Sequence, residues 1–322
     1  MVTILIHRDG ETTRAGQVDP AWLEEGSGVF VWADIAAPEA ADARLLRETF
    51  RFHELAVEDA LSEVHHPKIE AYDGYLYAIL HGIDFEASRH EFATHDADFF
   101  VGASYLVTVT DGTSRTIPET QAACERNPRV MAEGPVALLH RLVDTMVDHY
   151  RPEVDKLEER IDELESAVFE TGETRETNEE ILNLKRDVAS LRRIILPQRD
   201  VLGRLARRDF PQVNEEQAYR FRDVYDHVVR IADDGLLYHE RLAAILGAHL
   251  SNVSNRLNEV MKFLTIFSVI FMPMTVLTGL YGMNVPLVRF PGGDHVQFWW
   301  ILGIMGSISG LLIWFFRRSR WI

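Results

Sequence analysis

A short polar signature, Tyr281-Gly282-Met283-Asn284, stands where an uncharged stretch of 19 residues, Phe263 to Tyr281, comes to an end. At about 1.5 Å of helical rise per residue, that stretch reaches across most of a hydrocarbon layer about 30 Å thick. An isolated Gly-Met-Asn triplet carries little information, because any such string occurs by chance in many chains. Its position at a membrane exit makes it a candidate for contact with whatever crosses the membrane.

Small, polar and thioether side chains recur every three or four residues along the same segment. They are Asn258, Met261, Thr265, Ser268, Met272, Thr275 and Gly279. Small and hydroxyl residues are enriched where membrane helices pack together, so one interpretation is a helix–helix contact. The other is the wall of a pore. One position out of phase, a heptad seam runs from Leu246 to Leu264, and an isolated helix cannot bury such a seam. We therefore expect the chain to pack against further copies of itself.

A second uncharged stretch, Phe298 to Phe316, predicts a second membrane helix after a short loop. Cationic residues flank the two stretches unevenly: Arg256 and Lys262 precede the first, Arg317, Arg318 and Arg320 follow the second, and the loop contains only Arg289. Since Lys and Arg accumulate on the cytoplasmic side, both termini are predicted to face the cytoplasm. The expected location is the cytoplasmic membrane.

Composition excludes several classes of function. Acidic residues outnumber basic ones by 50 to 33, which argues against nucleic acid as a partner. Cys124 is the only cysteine, so an intrachain disulfide and a thiolate-rich zinc site are excluded. The start of the chain has no basic leader, and we expect no cleaved secretory signal. Without a phosphate-binding loop, a His-Glu-x-x-His motif or a nucleophile elbow, an enzyme is not predicted.

The residues ahead of the membrane stretches predict an α/β domain followed by helices. Five β-branched and aromatic runs indicate strands of a mixed sheet: Val2 to His7, Val29 to Asp34, Tyr75 to His81, Asp98 to Val101 and Tyr105 to Thr110. Helices are predicted over Asp34 to Thr49 and Leu55 to Leu61. Apolar residues at helical spacing over Val136 to Phe169 and Ile181 to Leu205 predict an antiparallel helix pair, kinked at Pro197.

The predicted organisation has seven parts. They are an α/β domain over 1–132, the amphipathic helix pair over 133–210, a long stalk helix over 211–262, the first transmembrane helix with its Gly-Met-Asn motif over 263–284, an extracytoplasmic loop over 285–297, the second transmembrane helix over 298–316 and a basic cytoplasmic tail over 317–322.

Blocks spread over the whole chain match a known family in content and order. In the membrane region they are the run from Ser254 to Asn284 and the basic C-terminus with Trp321. In the soluble region they are Val31-Trp-Ala-Asp34, His53-Glu-Leu-Ala-Val-Glu-Asp-Ala60, Pro67-Lys-Ile-Glu70 with Tyr72, and Leu184 to Arg193 with Pro197. These blocks resemble the CorA family of magnesium and cobalt transport channels. The resemblance implies a CorA-like funnel, a homopentamer in which each subunit contributes a cytoplasmic α/β domain, a pore-lining stalk helix and an outer membrane helix.

The resemblance also implies roles for individual residues. Gly282, Met283 and Asn284 match the family's entrance filter, where a ring of Asn284 carboxamides would hydrogen-bond to the waters of Mg²⁺, an ion that loses its inner waters reluctantly. Pore-facing positions of the family correspond to Asn258, Met261, Leu264, Ser268, Met272, Thr275 and Gly279. Met261 and Leu264 are predicted to belong to a gate that closes by dewetting. Lys262, Arg317, Arg318 and Arg320 would form a basic collar at the exit, although the positive-inside bias explains them equally.

Closure by intracellular Mg²⁺ is a further implication of the resemblance. Where we would look for an acidic residue on the stalk, about eleven residues before Asn258, this chain has Gly247. The candidate regulatory ligands are Asp96, Asp98, Asp233, Asp234 and Glu240, with solvated acidic surface as the alternative for each.

The favoured function is a passive channel that carries Mg²⁺, with Co²⁺ and Ni²⁺ also admitted, down its electrochemical gradient and without a catalytic cofactor. An alternative is a zinc transporter resembling the ZntB branch, possibly coupled to protons. Neither membrane stretch contains Asp, Glu or His, which weighs against a proton relay there. A third hypothesis, a membrane-anchored scaffold, explains the seam and the anchor but leaves the polar stripe unexplained.

Overall fold

The computed structural model of the protein describes residues 1–24, 26–39, 42–62, 66–86, 89–170, 175–283, 293–319 and 321. By compactness the chain divides into two units, Met1–Leu246 and Gly247–Ile322. The first unit combines a β-sheet with helices, and the second consists of the apolar helical segments.

A mixed sheet forms the centre of the first unit. In the described part of the chain its strands are β1 (Val2–Arg8), β2 (Glu11–Ala15), β3 (Phe30–Ala36), β4 (Lys68–Tyr72), β5 (Tyr75–Glu86), β6 (Glu91–Gly102) and β7 (Tyr105–Thr110). They lie in the order β2-β1-β3-β7-β6-β5-β4, with β3 and β7 parallel and the other neighbours antiparallel. The predicted mixed sheet is confirmed. The sequence pattern predicts neither edge strand, β2 nor β4. The residues of β2, Glu-Thr-Thr-Arg-Ala, lack apolar alternation, and β4 has only five residues.

One predicted helix proves to be partly a strand in the centre of this sheet. The helix predicted over Asp34 to Thr49 is wrong in its first part, since β3 continues through Ala36. Helix α1 (Asp42–Arg44) and a π-helical turn (Leu45–Thr49) occupy the second part. The reason is burial: β3 lies between β1 and β7, and its residues from Phe30 to Ile35 are buried. Helix α2 (Glu54–Ala60) begins near the predicted position and packs its Ala56 and Val57 into the same core.

The helices that follow are α3 (Thr116–Arg126), α4 (Arg129–Ala132), α5 (Pro135–Asp148), α6 (Tyr150–Glu170) and α7 (Arg175–Ala206). Helices α5, α6 and α7 pack against the strands β5, β6 and β7, and α6 packs against α7. The single helix predicted over Val136 to Phe169 is wrong, because the chain breaks between α5 and α6 at His149. Pro152 explains the break: it has no N–H to donate to the carbonyl of Asp148 four residues earlier.

The last two helices are α8 (Glu215–Tyr281), with 67 residues, and α9 (Asp294–Arg318), with 25. Among the described residues, these are the helices long and apolar enough to cross a membrane. Helix α8 ends at Tyr281, where the amide of Gly282 donates to the carbonyl of Thr278 at 2.9 Å. Gly282 and Met283 therefore follow the helix instead of continuing it.

Candidate ion pathway and metal sites

The residues predicted to face a pore all lie exposed on α8. They are Asn258, Met261, Leu264, Ser268, Met272, Thr275 and Gly279. The half-buried residues between 266 and 281 are Ile266, Ile270, Pro273, Met274, Leu277 and Tyr281. A rotation of about 100° per residue places the centres of these two sets roughly 180° apart around the helix. The stripe therefore occupies the side of α8 opposite its partly covered side.

Threonine hydroxyls along this segment are turned back onto the helix. Thr275 donates to the carbonyl of Phe271 at 2.9 Å, and Thr265 donates to the carbonyl of Met261 at 2.7 Å. A hydroxyl has one hydrogen and two acceptor lone pairs. Because the hydrogen is engaged, each oxygen presents only acceptor lone pairs to its surroundings, and these suit a cation or the water hydrogens of a hydrated cation.

Large apolar side chains alternate with these polar positions. Met261 and Leu264 are each 59% exposed, and Met272 is 69% exposed. In a soluble protein such a row would mark an interaction surface. On a helix able to span a membrane, it can face lipid, another helix or a narrow water path.

The polar signature begins at the last residue of α8, Tyr281, and its next residues follow the helix. A Cβ placed on Gly282 would lie 2.9 Å from the carbonyl oxygen of Thr278, so the glycine is explained by a close backbone approach at the end of the helix. Met283 is exposed, and its amide donates to the carbonyl of Leu280 at 3.3 Å. Asn284 lies outside the described residues.

The basic residues gather at the opposite end of the two apolar segments. Lys262 lines a cavity of about 550 Å³ together with Asn258, Met261 and Trp321. Arg317 and Arg318 form the last turn of α9, where the Arg318 guanidinium lies 5.9 Å from the ring of Trp314. Within the second unit, Trp321 thus brings the C-terminal tail beside the start of the stripe. Arg320 lies outside the described residues.

Two of the acidic candidates lie within the sheet. Asp96 and Asp98 are two positions apart in the middle of β6, which lies between β5 and β7. The strand predicted over Asp98 to Val101 is too short, since it leaves Asp96 outside and puts Asp98 at its first position. The Nδ1 atom of His81 hydrogen-bonds to Asp96, and the Tyr77 hydroxyl donates to Asp98 at 2.5 Å. Burial raises the pKa of Asp98 to about 7. Both carboxyl groups line one cavity of about 560 Å³.

The other acidic candidates lie on α8. Asp233 and Glu240 are exposed, and Asp234 accepts from the Arg151 guanidinium at 3.4 Å. Burial raises the pKa of Asp234, an effect that Arg151 opposes. Among the described residues, no group of three or more His, Cys, Asp or Glu side chains is arranged to hold a metal ion. The structure thus brings Asp96 and Asp98 into one cavity and leaves the α8 carboxylates outside it.

Sequence reasoning missed several residues of that cavity. His81 and Thr110 come from β5 and β7, and Arg193 comes from α7. The available signal was the alternation Thr94, Asp96, Asp98, which places three polar side chains on one face of an otherwise apolar strand. Nothing in the sequence pairs that strand with Arg193, which is about a hundred residues later.

Comparisons with known proteins match this architecture over nearly the whole chain. The family model described as CorA-like Mg²⁺ transporter protein matches residues 27–318. The putative metal ion transporter YfjQ of Bacillus subtilis is 32% identical over 95% of this chain and 92% of its own length. The cobalt/magnesium transport protein CorA of Thermotoga maritima is 31% identical over 98% of this chain and 89% of its own length.

Solved structures and a second group of relatives complete the comparison. The complete structure of the CorA magnesium transporter from Methanocaldococcus jannaschii has a TM-score of 0.83 at 22% identity and covers 100% of this chain and 99% of that chain, so the two folds agree. The zinc transport protein ZntB of Pectobacterium carotovorum is 25% identical over 56% of this chain and 54% of its own length. The predicted fold class, an α/β domain with a long helix and two apolar C-terminal helices, is confirmed. On the family model and the two full-length relatives, the chain belongs to the CorA-like Mg²⁺ transporter family, a family of divalent cation transporters.

Proposed function

We propose that the protein is a channel that carries Mg²⁺, and also Co²⁺ and Ni²⁺, across the cytoplasmic membrane down the electrochemical gradient. It works as a homopentamer in which both termini of each subunit face the cytoplasm. Entry of two positive charges is favoured by about 4.6 kcal/mol for each 100 mV of inside-negative potential, so no catalytic cofactor or nucleotide is required. The Gly-Met-Asn signature and the relatives named for cobalt and magnesium transport support this choice of ions.

The observation that carries the proposal is the exposed stripe of α8. It runs the length of the apolar segment, on the side opposite the partly covered side, and ends near Gly282. A polar stripe facing lipid would be costly, since lipid offers its hydroxyl and amide groups no partner. The oxygen of Thr275 and the amide of Asn258 instead face water inside the pore. Side chains in this arrangement present hydrogen-bond acceptors to a hydrated cation at several depths of the pore.

Asn284 supplies the filter in this proposal. A ring of five neutral carboxamides hydrogen-bonds to the water shell of Mg²⁺ and spares the ion the cost of dehydration. Below it, Met261 and Leu264 form apolar rings whose closure expels water, and Lys262, Arg317, Arg318 and Arg320 surround the exit. Mg²⁺ bound to cytoplasmic carboxylates, with Asp96, Asp98, Asp233, Asp234 and Glu240 as candidates, favours the closed state.

The test is uptake into liposomes that contain the purified full-length protein, under a potassium diffusion potential. Asn284→Ala is expected to abolish selective Mg²⁺ uptake while the oligomer remains intact in size-exclusion chromatography with light scattering. Gln297→Ala, which removes an amide near the start of α9, is the matched control and should transport like the wild type. If Asn284→Ala still took up Mg²⁺ selectively and at the wild-type rate, the proposed role of Asn284 as the filter would be wrong.

The zinc alternative rests on the ZntB relatives, which match just over half of the chain. It predicts Zn²⁺ flux that follows an imposed proton gradient. The same liposomes distinguish the two functions, since the proposed channel responds to voltage and is indifferent to the proton gradient. The lack of Asp, Glu and His in both uncharged stretches favours the voltage-driven channel.

A further inference from the structure

A cavity of about 560 Å³ lies within the first unit. Its residues belong to no part of the proposed pore, although Asp96 and Asp98 are also among the candidate regulatory carboxylates. Its size falls in the range of about 300–1,000 Å³ that is usual for small-molecule sites. Strands β5, β6 and β7 contribute its buried polar side chains, the residue after α2 contributes Leu61, and the middle of α7 contributes Ile194.

The polar groups of the cavity differ in depth. Asp98, His81 and Thr110 are buried, and they form the floor. Exposed residues form the rim: Ser62, His66, Thr94, Asp111 and Arg193. A ligand that enters therefore meets a buried acceptor at its inner end and a guanidinium at its outer end.

Most of the charged groups here already have partners. Asp96 is hydrogen-bonded to His81, and Asp111 accepts from the hydroxyl of Thr113 at 2.7 Å and lies 3.5 Å from His95. Asp96 uses only its Oδ1 atom in the contact with His81, but its side chain is 23% exposed, so water can reach the other oxygen.

Asp98 and Arg193 differ from the other charged groups of the cavity. Asp98 is only 6% exposed, and its single hydrogen bond uses one oxygen, which accepts from Tyr77 at 2.5 Å. No donor among the described residues reaches its other oxygen. Arg193 makes no hydrogen bond or ion pair with any described residue. Buried polar groups normally have at least one hydrogen-bond partner, and Tyr77 supplies one for Asp98. The second oxygen of Asp98 remains available to accept from a donor that enters the cavity.

We propose that this cavity binds a small zwitterionic metabolite, with its ammonium group against Asp98 and its carboxylate or phosphate group against Arg193. A short aliphatic spacer between the two ends would lie along Leu61 and Ile194. An ammonium supplies both the missing donor and the missing counter-charge of a buried carboxylate, and a guanidinium pairs with planar carboxylates and with phosphates. Burial, with contributions from Asp96 and Asp59, raises the pKa of Asp98, and an ammonium group bound beside it would favour the charged carboxylate.

The test measures binding to the full-length protein in detergent micelles by saturation-transfer NMR and isothermal titration. The two zwitterionic probes are 4-aminobutyrate, with a carboxylate, and phosphoethanolamine, with a phosphate, and their relative affinity identifies the anionic group. Butylamine and butyrate carry one charged end each. At least one zwitterion is expected to bind about tenfold more tightly than both single-ended compounds.

Variants then assign the two ends. Asp98→Asn keeps an oxygen for the Tyr77 hydroxyl and removes the charge, and Arg193→Met keeps the aliphatic stem; each is expected to weaken the zwitterion about tenfold or more. Arg193→Met should leave butylamine binding unchanged. Exposed charges elsewhere provide the controls, Asp226→Asn and Arg222→Met.

The proposal is overturned if neither zwitterion binds at concentrations up to about 10 mM, or if both variants bind as the wild type does. Equal affinity for zwitterions and single-ended compounds would also refute it. No transport is measured, so these results are independent of the proposed channel function.

Discussion

Asp98 makes the stability of the first unit depend on pH in a way that one substitution can remove. Its carboxyl group lies in the middle of β6, where burial raises its pKa from 3.8 to about 7. The Tyr77 hydroxyl and His81 oppose this shift, whereas Asp96 and Asp59 add to it. Asn has nearly the same shape and can still accept from Tyr77, so Asp98→Asn removes the titration and retains the hydrogen bond.

The sign follows from proton linkage. The folded protein holds the Asp98 proton up to about pH 7, whereas the unfolded chain releases it near pH 4, so this group lowers the free energy of unfolding as pH rises between those values. The full effect of a shift of about three units is on the order of 4 kcal/mol. Roughly 2.5 kcal/mol of it falls between pH 5 and pH 8.

At roughly 2–4 °C per kcal/mol for a unit of this size, the wild type should lose about 5–10 °C of Tm relative to Asp98→Asn between pH 5 and pH 8. The assay is thermal unfolding of the full-length protein in micelles, followed by circular dichroism at several pH values. The exposed Asp226→Asn controls for the change in net charge and should track the wild type. A Tm difference between wild type and Asp98→Asn that stays constant from pH 5 to pH 8 would refute the assignment of a buried, uncompensated carboxyl group.

Three further outcomes follow from individual contacts. Cys124 is fully buried and its pKa is raised to about 12, so maleimide at pH 7.5 should label it on the order of a thousandfold more slowly than a free thiol, with full labelling after denaturation. Gly102→Ala should destabilise the first unit by about 1–3 kcal/mol in chemical denaturation, because its Cβ would lie 2.3 Å from the Tyr105 ring, which is packed against Phe50. Leu264→Ser should increase Mg²⁺ leak into liposomes at high internal Mg²⁺ if Leu264 belongs to the gate. Phe267→Ser, roughly 110° around α8 from the centre of the stripe, should not, and equal leak in both would remove that role.

The predictable parts of the fold are those with strong periodic signals. The uncharged stretches predict the two apolar helices, and the β-branched runs predict the central strands. Both patterns are strong because each extends over a whole segment. The predictions that failed concern segments whose secondary structure is decided by tertiary contacts or by a local break in helical hydrogen bonding. The helix predicted from Asp34 became strand because β1 and β7 enclose it, and the long helix over Val136 to Phe169 broke where Pro152 removes a donor.

The candidate sites differ in the same way: one follows from a local sequence pattern, and the other depends on tertiary contacts. The stripe from Asn258 to Gly279 is a local, helical pattern, so its common face could be predicted before any coordinates. The cavity around Asp98 could not, since it joins residues from α2, β7 and α7 whose distance in sequence is large. A carboxylate within an apolar strand was the only visible sign, and the sequence cannot say whether such a group is paired.

The exposed stripe also constrains assembly. Ser268 and Thr275 carry polar groups on a side of α8 that no described residue of the second unit buries. In hydrocarbon, each amide or hydroxyl without a partner costs free energy, and the hydroxyl of Thr275 recovers only part of that cost by donating to Phe271. Two helices cannot enclose water, so a single copy would leave these groups facing lipid. The stripe becomes favourable when α8 helices of several copies turn it toward a common axis, where water or a hydrated cation supplies the missing partners. The proposed function therefore requires assembly. The polar groups that would solvate the ion are the same groups that would be exposed to lipid in a single subunit.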